Sequence, residues 1–516
     1  MRFFIKYKIK YKGEYVMKHI SRIIIALLLL AMVLPMAVSC AKTLDPSETT
    51  LPAQTEAPSG DGTVETDPEE TLFAPSDIPS DLRFDGETVK ILFWNDVPNV
   101  EFFVEDQTGE AVNDAIWKRN VNVQEQFGIT LEYNGTAGDN GNQANFVSSC
   151  INSTQAGSDA YDIFAGYSMT GATVATHGIV QDLSQYDIME FDKPWWPKSL
   201  IDKATVNGGI YFASGDISTN YLYMMYMCAF NKNMLSDVHQ IAPSALYDLV
   251  YDGGWTLDKF IEYTTGVYSD LDGDTVASEA DRYGMTATLV HWDAFFTGSD
   301  LKTVELDGDG QLVLSADLFS QKTVDLLDKI CNLFYVSGDA EIEKGVNIFA
   351  TGNALFVIDR AFITSSKLSD TEFAYGILPT PKFDADQDGY RTCLSFAYTM
   401  YMISTASSIP ETAAATIELM AYQSYLHITP ALFEESMKLR YADQSDDAFM
   451  FDYIRDGVVI DVGRLFTTEL EKMSYSIFRD AIKKNSPGSY LSTQKAYERT
   501  FNNNIKKINE SLSKLK

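Results

Sequence analysis

Histidine and cysteine are scarce: five of each in 516 residues. His19, His177, His239, His291 and His427 have no metal-ligand spacing, and no two cysteines stand as C-x-x-C, so neither a histidine-built zinc centre nor a paired redox thiol is written in the chain. H-E-x-x-H, G-x-S-x-G, a Walker loop and a dinucleotide glycine fingerprint are all missing. Gly166-Tyr-Ser168-Met-Thr-Gly171 carries one residue too many for a nucleophile elbow. Basic residues are few as well, 40 against 72 acidic, for a net charge of −32. Such a balance repels nucleic acid and anionic headgroups alike. A glycosidase needs only two suitably spaced carboxylates, so that chemistry stays open.

The first sixteen residues make no sense as an export signal, whereas Met17 begins one: Lys18, His19 and Arg22 form a charged start and residues 23–33 an apolar run. That run is short of the ~20 residues a membrane span needs. Ala37-Val38-Ser39-Cys40 then resembles a lipobox. The expectation is translation from Met17, a signal region over residues 1–39 and cleavage before a lipidated Cys40. Residues 40–77, rich in Thr, Pro, Glu, Ser and Asp, read as a disordered tether. Without residues 1–39 the chain keeps 33 basic and 71 acidic residues. Cys150, Cys228, Cys331 and Cys393 then read as buried thiols; a Cys228–Cys393 disulfide requires neighbouring crossing strands.

Residues 78–516 are too many for one ordinary core and suit two lobes. Val89–Trp94 reads as a strand, residues 110–127 as an amphipathic helix closed by Gly128, and Ile129–Tyr133 as a second strand. A helix over Ala144–Thr154 and a strand over Tyr161–Ala165 follow. This alternation predicts βαβ units on a largely parallel sheet, with ligands at the strands' carboxyl ends. Those ends are Trp94, Asn95, Gly166, Tyr167 and Ser168.

Tyr221–Phe230 is an apolar run bounded by turn-forming residues, read as a buried strand, although periodicity alone leaves a buried helix open. Followed by FNKNML, it resembles the first interlobe crossover of the extracellular solute-binding proteins of bacterial ABC importers, family 1 type. Further segments carry the same resemblance in the same order: GE-x-VNDAIW-x-RN from Gly109, Tyr161-Asp-Ile-Phe164, GWTLDKF from Gly254, NIFATGNALFVIDR from Asn347, and YGILPTPK from Tyr375. The resemblance implies an α/β, two-lobed periplasmic-binding-protein-like fold of type II, with crossover strands and a ligand cleft. It divides the globular part into residues 78–219 (lobe 1), 220–346 (crossover and lobe 2), 347–393 (return to lobe 1) and 394–516. The last stretch would hold a second crossover over Leu394–Ile403 and helices mainly of lobe 2.

It also implies a sugar-binding lipoprotein at the outer face of the cell membrane, monomeric, handing an oligosaccharide to importer permease subunits without catalysis or a required cofactor. A surface carbohydrate hydrolase and a peptide-binding or adhesin lipoprotein remain the alternatives. Sugar rings stack on aromatic faces while hydroxyls need polar partners. The expected contacts are therefore Trp94, Tyr167, Trp195, Trp196, Tyr221, Trp255 and Trp292, with Asn95, Ser168, Asp216, Ser218, Asp293, Asp359 and Arg360. For several of these a purely structural role is the alternative: Trp255 on a helix face, Asp359 and Arg360 as an ion pair. Asp270, Asp272, Asp274, Val276 and Asp281 take positions 1, 3, 5, 7 and 12 of an EF-hand-like loop, so calcium competes here with a solvated acidic turn. Thr275 stands where such a loop has glycine.

Overall fold

The computed structural model describes residues 73–157, 159–433 and 445–515. The expected signal region, Cys40 and residues 40–72 of the tether lie outside the described residues. Strands β1 (Thr88–Trp94), β2 (Thr130–Thr136), β3 (Ile163–Tyr167), β4 (Tyr226–Asn231), β5 (Tyr283–Thr286), β6 (Ala340–Glu341), β7 (Ala354–Arg360), β8 (Tyr375–Leu378) and β9 (Thr399–Ile403) build two sheets. Their orders are β9-β3-β1-β2 and β6-β5-β7-β4-β8.

In the first sheet β1 runs parallel to β2 and β3, and β9 antiparallel to β3. The helix Ala111–Phe127 makes the first crossover, burying Val112, Ala115, Ile116, Val123 and Phe127 at helical spacing. It stops at Gly128, whose φ of 68° is a left-handed conformation that glycine adopts freely. A β-carbon there would lie 2.6 Å from Asp85 Oδ1. Because β2 and β3 flank β1 on opposite sides, the ends of β1 and β3 form a topological switch point, where open α/β sheets gather ligands.

Two of the passages between the sheets, before β4 and before β9, run at neighbouring points. Ser218 caps a helical turn over Thr219–Tyr223, its Oγ accepting from Tyr221 N, so the expected strand over Tyr221–Phe230 begins only at Tyr226. Met225 forms an antiparallel bridge with Leu394; Tyr226 N donates to Cys393 O at 2.9 Å and Ser395 N to Met224 O at 2.8 Å. The second passage also turns regular later than expected, at Thr399 rather than Leu394.

Two expected assignments are corrected. Residues 347–393 do not return to the first sheet: β7 pairs antiparallel with β4 and parallel with β5, and β8 pairs with β4. The apolar stretch Ala354–Ile358 is buried throughout, and a central place in the second sheet covers both of its faces. Nor do residues 394–433 belong with the second sheet, since β9 joins the first and the helix Pro410–Gln423 packs on Ala111–Phe127, β1 and β9. The helix Ser445–Asp456 packs on β8. No helix among the described residues is long and apolar enough to cross a membrane.

Candidate functional site

The switch point of the first sheet meets the start of β4 and the end of β7. Trp94 Nε1 donates to Thr399 Oγ1 at 2.8 Å, and its ring meets Tyr167 edge-on at 5.2 Å. Ser168 Oγ donates to Phe396 O, tying the same edge to the second crossing. From the second sheet, Tyr226 and Arg360 are direct cross-strand partners. Tyr226 Oη donates to Val290 O at 2.8 Å.

Onto this junction two C-terminal helices deliver arginines. Asp461 caps Val462–Leu465, accepting from Gly463 N, and so fixes where Arg464 points. Arg479 comes from Met473–Lys483. Both reach Asp293, at the start of a helix in the second sheet's lobe: Arg464 Nη1 at 2.7 Å, Arg479 Nε at 2.6 Å and Nη2 at 2.7 Å. The Arg464 guanidinium lies 4.0 Å from the Phe396 ring centre and that of Arg479 4.3 Å from Tyr475, so each stacks on an aromatic face. Burial alone would raise the Asp293 carboxyl, but the two guanidinium groups outweigh it and hold the pKa below the usual value. Asp359 behaves alike: burial is overcome by His291, whose Nε2 lies 3.0 Å away, and by Arg360, at 3.1 Å. Tyr226, Tyr475 and Arg464 each lie close enough to Tyr167 to act on it electrostatically.

Of the sequence-expected contacts, the structure brings Tyr167, Ser168, Asp293 and Arg360 to the floor of this junction, with Asp359 and Trp94 directly behind. It removes others. Trp195 and Trp196 are sealed in the core, 0% and 2% exposed, with both indole N–H groups donating to Glu418 at 2.5 and 2.8 Å. Trp255 is likewise core, bonded to Pro379 O and packed on Phe356. Trp292 is buried against Phe334. Asp216 is spent on Arg455 and Thr429, and Ser218 on its cap and on Thr399 N. Tyr221 is buried edge-on to Tyr398, and Asn95 is exposed. Tyr226, Phe396, Arg464, Tyr475 and Arg479 were missed; Arg464 and Arg479 meet Asp293 across 171 and 186 residues, which no local pattern announces.

Away from the floor, carboxylate oxygens of Asp270, Asp272 and Asp274 lie within 4.8 Å of one another. Thr275 takes φ 65°, the left-handed conformation the loop requires there, and its N–H donates to Asp270 Oδ2 at 2.9 Å. Asp281 turns inward instead, accepting from Leu271 N and Ser278 N, while Val276 is exposed. Cys150, Cys228, Cys331 and Cys393 are free and buried, so the crossing strands are not disulfide-linked.

No protein-family model matches the chain, and no curated protein sequence does. Solved structures do match. A cyclo/maltodextrin-binding protein complexed with maltotetraose superposes with TM-score 0.51 at 12% identity, over 83% of this chain and 98% of that one. The cyclic α-maltosyl-1,6-maltose binding protein from Arthrobacter globiformis gives TM-score 0.51 at 12% identity, over 83% of this chain and 99% of its own. At such identity the likeness is one of architecture, and it agrees with the two sheets joined by paired crossings: the chain has the two-lobed fold of the periplasmic binding proteins.

Proposed function

We propose that the chain captures a carbohydrate at the junction of its lobes and passes it to the membrane subunits of an ABC importer. The observation that carries this reading is the junction floor itself. Half-buried Phe396, Tyr475 and Arg360 lie beside Arg464, Arg479 and Tyr167, offering aromatic faces and polar groups where two adjacent crossings can act as a hinge. A ligand touching both lobes stabilises the closed form by its differential affinity. Tyr167 and Arg360 are the contacts retained from the sequence, joined by Phe396, Arg464, Tyr475 and Arg479, while buried Ser168, Tyr226 and Asp293 hold them in place. The test is thermal denaturation of the purified chain against a panel of saccharides. A ligand at a hundred times its dissociation constant adds ~2.7 kcal/mol to native stability. Phe396→Ala and Tyr475→Ala should abolish that rise. A panel with no rise and no ligand-dependent compaction in small-angle scattering sinks the reading.

Anchoring through Cys40, export to the outer face of the membrane and a monomeric state belong to the same proposal. Intact-mass analysis of the membrane-extracted protein showing unmodified Cys40 would remove the anchor, and light scattering reports the oligomer. Asp270, Asp272 and Asp274 are proposed to hold a structural calcium ion without a role in capture. Titration calorimetry with calcium tests this, since Asp270→Asn should abolish any heat; no heat from the parent chain ends the idea.

A further inference from the structure

The junction floor has spent three of its four carboxylate oxygens and kept several guanidinium donors. Both Asp293 oxygens are taken by Arg464 and Arg479. Asp359 Oδ1 accepts from Arg360 N and Arg360 Nε and lies 3.0 Å from His291 Nε2, while Oδ2 is the one carboxylate oxygen of the pair that makes no hydrogen bond among the described residues. The Leu394 and Val290 carbonyls are occupied by Arg464 Nη2 and Tyr226 Oη. On the donor side, the only side-chain bond of Arg360 runs from Nε, which leaves both of its Nη groups for a ligand, and its side chain is 29% exposed. Arg464 Nε and Arg479 Nη1 are likewise outside the bonds these side chains make. In the first lobe Asp139 Oδ1 accepts from Gly141 N, Asn142 N and Asn142 Nδ2 within its own loop.

A hydroxyl wants to donate as well as accept; a carboxylate only accepts. A floor of guanidinium donors, with three arginines against two aspartates, therefore matches an acceptor-only group better than a neutral sugar. The planar guanidinium fork is the group that takes carboxylate in two parallel hydrogen bonds. The wider surroundings strengthen the argument, because a chain of net charge −32 repels an anion everywhere that such a group has not been built.

We propose that the captured carbohydrate is acidic, a uronic-acid oligosaccharide whose carboxylate is received by the Nη groups of Arg360, with Arg464 and Arg479 supplying the remaining donors and Phe396 and Tyr475 the ring contacts. This rests on the capture reading above and goes further in naming the ligand's charge.

The experiment is titration calorimetry of the full chain with trigalacturonate, triglucuronate and trimannuronate, each beside its methyl ester and beside maltotriose, at low and at physiological salt. The expected result is that at least one uronate binds, at least tenfold tighter than its ester, and weakens as salt rises. Arg360→Gln should weaken that uronate about tenfold and its ester less than twofold, and Arg360→Lys should fall between. An ester or maltotriose that binds as tightly as the acid overturns the acidic ligand while leaving capture standing. Equal loss of acid and ester binding in Arg360→Gln does the same, since the residue would then serve the sugar ring and not its charge. Silence from all three uronates also overturns the inference; a neutral saccharide that raises the melting temperature would then uphold capture, and silence there as well would sink both.

Discussion

Two buried carboxylates in this molecule each accept three N–H hydrogen bonds, yet titrate in opposite directions. Asp293 takes its three from Arg464 and Arg479. Glu418 takes its three from Trp195 Nε1, Trp196 Nε1 and Glu190 N, the last at 3.1 Å. Burial dominates at Glu418 and pushes its carboxyl up to about 7, because the neutral donors oppose it only in part. At Asp293 burial is equally complete, but the pKa falls. The geometry of donation is similar; the difference is the positive charge behind the donors. In this pair the neutral hydrogen bonds offset only part of the desolvation cost, and the counter-charge reverses it. That distinction separates a packing device inside the first lobe from a polar centre held ionised at the junction.

The largest effect follows from taking the aspartate away from its partners. Asp293→Ala leaves two mostly buried guanidinium groups unpaired, a change that costs roughly 3–5 kcal/mol. Urea denaturation should show it as a lowered midpoint at unchanged slope. A loss under 1 kcal/mol would mean that the arginines relax into solvent and that the junction is looser than the structure has it.

Next in size is the pH dependence of the other carboxylate. Between the unfolded value of 4.5 and about 7, folded Glu418 holds a proton that the unfolded chain has released. The native state binds more protons there, so stability falls as pH rises through that window, by roughly 3 kcal/mol in all. Glu418→Gln should flatten this part of the profile, read from melting temperatures between pH 4.5 and 8. A parent profile with the same slope as the variant would contradict the raised value.

The first lobe was legible because its order is local. Gly128 ends the helix where glycine was expected to, and β1, β2 and β3 follow the alternation of apolar runs and turns. In the second lobe a local signal is equally direct, Thr256 capping the helix Leu257–Thr264 by accepting from Lys259 N. The lobe assignment of residues 347–393 was not legible, since an apolar strand such as Ala354–Ile358 fits the centre of either sheet. The aromatic contacts failed for a related reason. Indoles at Trp195, Trp196 and Trp255 look the same in sequence whether they face a cleft or a core, and the partner that decides it, Glu418 or Pro379 O, lies more than a hundred residues away. Arg464 and Arg479 carry no aromatic or glycine signature of their own, so only folding reveals that they converge.

A smaller step sharpens the comparison by removing one neutral donor. Trp196→Phe deletes the 2.8 Å bond to Glu418 Oε2 and part of the packing against Phe191, worth about 1–2 kcal/mol. The remaining donors oppose burial less, so the Glu418 step in the stability profile should shift to higher pH. A shift to lower pH would mean that water has entered the vacated space.

The smallest change tests what a buried polar atom does with no donor or acceptor at all. The Tyr221 hydroxyl is buried without a hydrogen-bond partner, beside Tyr398 and within the field of the Arg455–Asp216 pair. Tyr221→Phe removes only that atom, so the desolvation penalty disappears and the ring packing stays. The expected result is a protein as stable as the parent or up to about 1 kcal/mol more so, with unchanged saccharide affinity. A loss of affinity without loss of stability would return Tyr221 to the set of ligand contacts that its sequence position first suggested. It would also mean that the junction opens to expose the hydroxyl, because a group 2% exposed reaches no ligand otherwise.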